Sequence, residues 1–380
     1  MKILFWLSVL AIFYTYFGYP LLLTFFAKVK KGKPVDKKPF FPQISIVIPA
    51  YNEENNIGAK LNDILNLDYP KEMMEVVVVS DFSSDDTDNI IRQFSEQGVR
   101  LYRLKKRSGK IAAYRNVLPH LKGEIIVFSD ATSLLNSASV ANLVSNFHDQ
   151  SVGCAAGLLM YINPKQAIVG KGEKKYWKYG EGIREYEYKL DSLPSVSGTF
   201  YAVRRNLYPV HMKDDLADDL MVPLYVRKKG FRTVFEKEAI CRDYTTVSIR
   251  EEMAKRIRIT VQNIRGLIEQ IDILNPFKYG WFSFIVISHK LFRLLVPLFL
   301  AAAFITTLFL SFHSSFFRFI FVAQIFFYIG AKLGYLINQK AKFSLGNALF
   351  YFCLSNWAIL KGIVGFLKGK KIVTWETARA

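Results

Sequence analysis

The chain has few of the residues and motifs that would indicate a disulfide framework, a zinc site or one of the common phosphate-binding loops. Its three cysteines, Cys154, Cys241 and Cys353, lie far apart and show no CxxC or Cys/His spacing, so neither a disulfide scaffold nor a zinc site is indicated. No GxGxxG occurs in a strand-to-helix turn. Residues 108–111 contain the Gly-Lys pair of a P-loop but lack its upstream Gly and its following Ser or Thr. A dehydrogenase and a P-loop NTPase are therefore disfavoured.

Acidic residues are scarce at both ends of the 380-residue chain. Residues 1–44 contain seven Lys and one Asp, and residues 276–380 contain twelve Lys or Arg and one Glu. Residues 45–275 are nearly balanced, with 32 basic and 30 acidic residues, although the whole chain has a formal charge of +19. The excess flanks long apolar segments, where positive charge indicates membrane topology and contact with anionic lipid. No nucleic-acid partner is expected.

The first long apolar segment, residues 3–27, has no charged residue and is long enough to cross a bilayer as a helix. A cleaved signal peptide is the alternative, but the segment is longer than an h-region and ends without a small-x-small cleavage site. Six lysines follow within residues 28–38, and the positive-inside rule places them in the cytoplasm. We predict an integral inner (plasma) membrane protein with a cytoplasmic catalytic domain.

Apolar sequence returns after residue 276. The mixture of basic and aromatic residues in 277–293 predicts an interfacial helix. The next two segments are predicted to span the membrane, 294–312 and 316–337. Residues 345–367 are a third candidate, but the lysines within 368–371 favour a cytosolic tail. We therefore expect part of 345–367 to be interfacial or re-entrant, and three complete passes are the alternative.

Between the apolar ends, short β-branched runs alternate with helical patterns, which indicates an α/β domain with a mainly parallel sheet. The predicted strands are 44–48, 75–80, 99–104, 124–129 and 154–161. The predicted helices are 55–66, 110–120, 173–190, 217–229 and a basic helix at 249–271. The expected divisions are 1–28 (N-terminal transmembrane helix), 29–43 (basic linker), 44–248 (α/β domain), 249–293 (basic and interfacial helices), 294–367 (C-terminal transmembrane and interfacial helices) and 368–380 (tail).

Polar residues follow three of the predicted strands, at 49–54, 81–87 and 130–133. In an open parallel sheet, ligands bind at the carboxyl ends of the strands, where helix N-termini and loop amides converge. Asp81 alone is also typical of a helix N-cap. Three polar strand ends directed at one crevice instead favour a binding site.

Six motifs across residues 44–245 occur in the order found in glycosyltransferase family 2, and the chain resembles that family. They are VIPAYNEENNI (47–57), VVVSDFSSDDT (77–87), RSGKIAAYRN (107–116), VFSDATS (127–133), SGTFYAVRR (197–205) and ADDLMVPLYVRKKGFRTVFEKEA (217–239). The sequence is most similar to the membrane-embedded members, such as cellulose, hyaluronan and poly-N-acetylglucosamine synthases and ceramide glucosyltransferases. This resemblance implies a GT-A-type nucleotide-sugar-binding domain followed by interfacial and transmembrane helices.

The resemblance also implies roles for individual residues. Asp81 would accept hydrogen bonds from uracil, and Lys110 would approach the nucleoside or its phosphates. Asp130 matches the first Asp of the family's Asp-x-Asp, which holds Mg²⁺ or Mn²⁺ against the diphosphate, but Thr132 replaces the second Asp. The nucleotide-sugar-binding residues implied are Ala50, Tyr51, Glu53, Asp81, Lys110 and Asp130.

The Asp218-Asp219 pair lies where the family carries its general base, and Asp219 is expected to deprotonate the acceptor hydroxyl. A helix N-terminal acid that only interacts with the helix dipole is the alternative. Gly198 and Thr199 would form the acceptor-side wall. The remaining residues implied for the acceptor or diphosphate are Asp218, Gln262 and Arg265.

Gln262 and Arg265 match the family's Gln-x-x-Arg-Trp except that Gly266 replaces Trp. The alternative for this helix is a basic face that contacts anionic lipid. The segment around Trp375 is similar to C-terminal Trp-containing segments of membrane members, which suggests that it lies over the active site.

The expected function is the inverting transfer of a sugar from a UDP-sugar to a hydroxyl of a membrane-associated acceptor, either a lipid or a lipid-linked glycan. A processive polysaccharide synthase is the first alternative, although the predicted spans are few for a translocation channel. A non-catalytic nucleotide-binding subunit of a synthase is the second, and the oligomeric state stays open.

Overall fold

The computed structural model describes residues 1–30, 32, 34–162, 171–244, 248–338 and 344–374. The prediction for Trp375 lies outside these residues. The strands are β1 Ile44–Ala50, β2 Met74–Ser80, β3 Val99–Arg103, β4 Ile125–Ser129, β5 Leu134–Leu135, β6 Val152–Ile162, β7 Phe200–Arg204 and β8 Arg232–Tyr244. The helices of the α/β domain are α3 Ile57–Leu65, α4 Thr87–Gln93, α5 Lys110–Val117, α6 Ser139–Ser145, α7 Lys171–Leu190 and α8 Asp218–Lys228. The helices at the two ends are α1 Lys2–Phe13, α2 Tyr19–Val29, α9 Ile249–Glu269, α10 Pro276–Tyr279, α11 Trp281–Ile285, α12 Phe292–Ser311, α13 Ser315–Asn338 and α14 Ser344–Leu367.

The eight strands form one mixed sheet in the order β3-β2-β1-β4-β7-β6-β8-β5. Strands β3, β2, β1 and β4 run parallel, while β7 is antiparallel to both of its neighbours. All five predicted strands are confirmed, with ends that differ by at most two residues. Strands β5, β7 and β8 were not predicted, because their pairing depends on partners distant in sequence.

Helices cover both faces of the sheet. Ile44, Ile46 and Ile48 of β1 pack in one apolar cluster with residues of α3, α4 and α6, whereas Val47 packs on the other face with residues of α5 and α8. Burial on both faces explains why the strands read as continuous apolar runs rather than alternating ones. Each such side chain contributes about 1.5 to 3 kcal/mol of hydrophobic free energy, so the sheet is a rigid base for the loops at its edge.

Among the residues that the structure describes, four helical segments are long and apolar enough to cross a membrane: Lys2–Val29, Trp281–Ser311, Ser315–Gly334 and Ala348–Leu367. The first packs on the C-terminal helices, since Phe5 lies in one buried cluster with Ala303 and Phe317. The expected division into an interfacial helix at 277–293 and a span at 294–312 stays a prediction. The chain is helical from Trp281 to Ser311, with a π-helical turn at Val286–Leu291 that joins α11 to α12.

The last helix lies along the basic helix α9. The Arg256 guanidinium donates a hydrogen bond to the Tyr351 hydroxyl, and Arg265 lies over the Phe366 ring, 5.6 Å from its centroid. A Cβ added to Gly362 would lie 2.6 Å from Cβ of Thr260, so α14 approaches α9 closely along much of its length. The tail that follows α14 therefore starts beside the α/β domain.

Candidate active site

The turns after β1 and β2 hold two non-glycine residues in the left-handed region, Asn52 (φ 53°) and Phe82 (φ 64°). Such residues cost free energy and tend to occur at functional sites. Hydrogen bonds between the two turns hold them in place: the Asn52 amide donates to Ser83 Oγ (3.2 Å), and the Ser84 amide donates to Asn52 Oδ1 (2.9 Å). The two strand ends therefore form one fixed edge.

Asp81, the first residue after β2, is completely buried. Its two carboxylate oxygens accept hydrogen bonds from the backbone amides of Ser108 (2.7 Å) and Gly109 (2.9 Å). Burial raises the pKa of Asp81, and the two amides oppose that effect. Asp81 is not a helix N-cap, because α4 begins six residues later. It fixes the loop that precedes α5.

The other residues expected around the nucleoside also lie at this edge. The Arg107 guanidinium stacks over the Tyr51 ring, 3.8 Å from its centroid, which is close enough for a cation–π interaction. Glu53 is buried and accepts a hydrogen bond from the Asn56 side chain (2.8 Å). Ala50 is fully buried at the end of β1, and its carbonyl accepts the Asp81 amide (2.8 Å).

Lys110 joins three elements of the site. Its Nζ donates to Asp130 Oδ1 (2.9 Å) and to the Gly198 carbonyl (2.9 Å), and it lies 4.0 Å from Asp218 Oδ2. Burial alone would lower the pKa of Lys110, but the carboxylates of Asp130 and Asp218 raise it above its ordinary value. Lys110 is therefore a fixed positive charge beside the carboxylates. The Thr199 carbonyl completes this corner by accepting the Asp130 amide (3.1 Å).

A second carboxylate, Asp243 of β8, lies beside the turn that contains Asp130 and Thr132. Strand β5 follows this turn directly and pairs antiparallel with β8, with Leu134 opposite Arg242. Burial, followed by the charge of Asp130, raises the pKa of Asp243, and the nearby Thr132 side chain opposes that effect. Carboxylate and hydroxyl oxygens are hard ligands that suit Mg²⁺ or Mn²⁺. The described residues contain no group of three or more His, Cys, Asp or Glu that could hold a metal, so a cation here would need further ligands from its substrate.

Asp218 and Asp219 occupy the first turn of α8 but have different surroundings. Asp218 is buried and accepts a hydrogen bond from the Tyr201 hydroxyl (3.0 Å). Asp219 is half-buried, and its Oδ1 is enclosed without a hydrogen-bond partner among the residues that the structure describes. Burial and the neighbouring Asp218 charge raise the pKa of Asp219 to about 6. A half-buried carboxylate with a pKa near neutrality can accept a proton.

Gln262 and Arg265 lie on the face of α9 that contacts the C-terminal tail. Gln262 Nε2 donates to the Ile372 carbonyl (3.1 Å), and the Arg265 guanidinium donates to the Lys370 carbonyl (3.0 Å). Arg265 also pairs with Asp215 (3.1 Å). These two residues therefore hold the tail, which brings Val373 within 3 Å of where a Cβ on Gly109 would lie.

Arg258 was not selected as a site residue from the sequence, yet it lies in the field of the carboxylate cluster. Burial lowers the pKa of Arg258, while the charges of Asp130, Asp219 and Asp218 oppose that effect. Arg258 lies one helical turn before Gln262, and therefore on the same side of α9 as Gln262. Helical spacing could have identified Arg258 from the sequence, but only once the face of α9 that meets the sheet was known.

Close packing explains why Gly266 stands where the family has Trp. A Cβ on Gly266 would lie 3.1 Å from both Leu220 Cδ2 and Met221 Sδ of α8. These distances are shorter than ordinary van der Waals contacts, so a large side chain has no space here. Gly266 allows α9 to pack closely on the helix that carries Asp219.

Comparison with known families identifies this α/β domain. The model of glycosyl transferase family 2 matches residues 45–210. This segment is similar to glycosyl transferase family 2 domains. It contains the edge formed by β1, β2 and β4, and the predicted resemblance to this family is confirmed.

The curated relatives of this chain are distant. The chain is 29% identical over 236 residues to a probable glycosyltransferase, YdaM, of Bacillus subtilis, covering 59% of this chain and 55% of that protein. It is 29% identical over 168 residues to a beta-monoglucosyldiacylglycerol synthase of Trichormus variabilis, covering 43% and 36% of the two chains. The chain thus spans about half or less of the length of these curated relatives.

One solved structure is similar over almost the full length. It is the mannosyltransferase PcManGT from Pyrobaculum calidifontis, in complex with GDP-Man and Mn2+, with a TM-score of 0.74 at 24% identity. The similarity covers 97% of this chain and 100% of that one. It confirms the predicted GT-A-type fold with helices at both ends.

Proposed function

We propose that this glycosyltransferase transfers a sugar, with inversion, from a nucleoside diphosphate sugar to a hydroxyl of a membrane-associated acceptor. The acceptor oxygen forms a bond to the anomeric carbon while the bond from that carbon to the diphosphate oxygen breaks. The acceptor proton passes to Asp219, and the nucleoside diphosphate leaves with the electron pair. Direct displacement of this kind needs one carboxylate base and no covalent intermediate.

The observation that carries this proposal is the environment of Asp219. Its carboxylate has a pKa of about 6 and one enclosed oxygen without a partner among the described residues. It lies at the wall formed by Gly198, since its Cβ is 3.6 Å from where a Cβ on Gly198 would lie. Asp218 is instead engaged by Tyr201 and Lys110, so Asp219 is the carboxylate that an acceptor hydroxyl can reach.

The donor would bind at the edge formed by β1, β2 and β4. Asp81 and Tyr51 lie where the base is expected, and Lys110 and Arg258 provide positive charge for the diphosphate. Asp130 and Asp243 would hold a divalent cation. Asp243 would then supply the second carboxylate, which the family's Asp-x-Asp provides at the position of Thr132. When bound, the cation would balance charge on the leaving diphosphate. UDP-sugars remain the expected donors, but the neighbour solved with GDP-Man makes GDP-mannose a necessary comparison.

The membrane helices support a lipid or lipid-linked acceptor. We propose that the tail and the α/β domain lie on the cytoplasmic side, because Gln262 and Arg265 hold the tail against that domain. Helix α14, which lies along α9, would then follow the membrane surface for part of its length. Four candidate spans among the described residues are few for a polymer channel, which favours a single transfer over processive synthesis.

The deciding experiment is a donor screen on the purified full-length chain. UDP-glucose, UDP-galactose, UDP-N-acetylglucosamine and GDP-mannose are each incubated with membrane lipid extract and Mn²⁺, and the lipid phase is analysed by mass spectrometry. We expect one donor to add a single sugar mass to a lipid, with β linkage from an α-linked donor by NMR. Release of a high-molecular-weight polymer would support processive synthesis. No consumption of any donor would contradict the proposed function.

A further inference from the structure

The π-helical turn at Val286–Leu291 places two consecutive ionisable side chains against the α/β domain. His289 Nδ1 lies 2.6 Å from Oε1 of Glu187, which is buried in α7. Lys290 Nζ donates a hydrogen bond to Ser195 Oγ. π-helical turns within α-helices are frequent at functional sites. This turn belongs to a candidate membrane span, so the span itself carries polar groups to the domain that holds the active site.

Lys290 lies on the acceptor side of Asp219. Its partner Ser195 begins the segment that leads to the acceptor-side wall, and the next residue, Val196, donates its amide to the Asp219 carbonyl (2.8 Å). Lys290 also lines a cavity of about 310 Å³ together with Leu220, the residue after Asp219. Lys290 is therefore bonded to the segment that holds the start of α8, and it borders the same space as the residue beside the proposed base.

Charged side chains from five elements face Asp219. They are Asp218 of α8, Lys290 of the π-helical turn, Lys110 of α5, Arg258 of α9 and Arg184 of α7. Burial and the charge of Asp218 raise the pKa of Asp219. The charges that lower this pKa are, from the larger effect to the smaller, those of Lys290, Lys110 and Arg258. Lys290 is thus the cation that most favours the ionised carboxylate.

The other two cations are shared with the donor side of the site. Lys110 Nζ donates to Asp130 Oδ1 (2.9 Å), and Arg258 also lies in the field of Asp130. A donor diphosphate would attract both of them, and its negative charge would offset their effect on Asp219. Lys290 is bonded on the acceptor side instead, so its charge stays with Asp219 when the donor binds.

Charges of both signs face Lys290. They are the carboxylates of Asp219 and Glu187 and the guanidinium groups of Arg293 and Arg184. Glu187 has other partners, because its Oε1 accepts the Tyr19 hydroxyl (2.7 Å) and contacts His289. Asp219 Oδ1 has no hydrogen-bond partner among the described residues. Glu187 therefore anchors the turn, and the ammonium of Lys290 compensates the less satisfied carboxylate of Asp219.

We propose that Lys290 is a positioning residue for the transfer reaction, which braces the acceptor side through Ser195 and keeps the Asp219 carboxylate ionised as the base. This inference rests on the proposed transfer function and its base. An opposite charge nearby favours the ionised form of a carboxylate, so loss of the ammonium leaves Asp219 protonated up to a higher pH. The candidate span Trp281–Ser311 then contributes to the chemistry as well as to membrane attachment.

The test is the pH dependence of kcat/KM for sugar transfer to lipid by the full-length chain. In the unchanged chain, the fall on the acid side should be centred near pH 6. Lys290→Met should move this fall upward by about one pH unit. Because kcat/KM follows the ionised fraction of the base, activity at pH 6, relative to the plateau, should then be about fivefold lower than in the unchanged chain. Lys290→Arg keeps the charge and should keep the fall near pH 6.

Three control variants separate charge from structure. Ser195→Ala removes the hydrogen-bond partner but leaves the ammonium, so the fall should stay near pH 6 even where the KM for the acceptor rises. Lys361→Met makes the same substitution at an exposed position of α14 and should leave the profile unchanged. Lys290→Gln keeps a donor for Ser195 and should shift the profile as Lys290→Met does, so the test does not depend on the stability of one variant.

Each alternative result has one meaning. Equal loss at every pH in Lys290→Met and Lys290→Gln would show that Lys290 only supports the structure, and would overturn the inference. An equal shift in Lys290→Arg or Ser195→Ala would also overturn it, since neither change removes the charge. Failure of the unchanged chain to consume any donor would contradict the transfer function, and near-normal turnover of Asp219→Asn would contradict the base. In those two cases the inference fails with the function on which it rests.

Discussion

Replacing Asp219 with asparagine removes the proposed base while conserving its shape. The backbone carbonyl of Asp219 would still accept the Val196 amide (2.8 Å), so the start of α8 should stay in place. General-base catalysis contributes roughly 10² to 10⁴-fold, which corresponds to about 2.7 to 5.5 kcal/mol of transition-state stabilisation. We expect kcat to fall by that factor with little change in donor affinity.

The pH dependence gives the same base a second signature. A base with a pKa of about 6 is deprotonated above that pH, so kcat/KM should be level at pH 7 to 8. Below the pKa, kcat/KM should fall about tenfold per pH unit, because the protonated carboxyl cannot accept a proton. The fall with decreasing pH should be absent from the residual activity of Asp219→Asn.

Steady-state transfer to lipid, measured between pH 4.5 and 8.5, tests both expectations, with calorimetry for donor binding. Asp218→Asn is the matched control, since asparagine can still accept the Tyr201 hydroxyl and only the charge 4.0 Å from Lys110 is lost. We expect a smaller loss in this variant. Near-normal turnover of Asp219→Asn would refute the assignment, and loss in Asp218→Asn alone would move the base by one residue.

Three further changes test the donor side and the packing of the site. Asp81→Ala removes the acceptor of two loop amides and should weaken UDP binding by about 1.5 to 3 kcal/mol, and unchanged affinity in calorimetry would show that Asp81 does not contact the base. Asp243→Asn should weaken Mn²⁺ binding about tenfold or more in the presence of UDP, measured by electron paramagnetic resonance, and an unchanged signal would leave Asp130 as the proposed ligand without Asp243. Gly266→Trp should destabilise the chain by about 1 to 3 kcal/mol through contact with Leu220 and Met221, seen as a lower Tm in detergent. Gly180→Ala, where a Cβ meets open space, should leave the Tm nearly unchanged.

The local pattern of the sequence determined the strands that form the base of the site. Strands β1, β2 and β4 are apolar runs bounded by polar turns. Because these strands are buried on both faces, each can be recognised from its own residues, without knowledge of its partners in the sheet. The family motifs at the ends of these strands then predicted the edge to which Asp81, Lys110 and Asp130 belong. Each of these residues is within a few positions of the element that places it, so short-range sequence was enough.

Tertiary structure decided the contacts between distant segments. Asp243 reaches Thr132 only because β5 pairs with β8, and nothing local to either residue indicates that register. The same holds for the tail, which α14 carries back to Gln262 and Gly109. A cavity beside Leu220 likewise combines Lys255 of α9, Arg293 of α12 and Ile359 of α14. In the sequence, the charges of these residues indicated only that they lie near the membrane. The residue type gives the sign of a charge, but the fold decides which groups lie next to it.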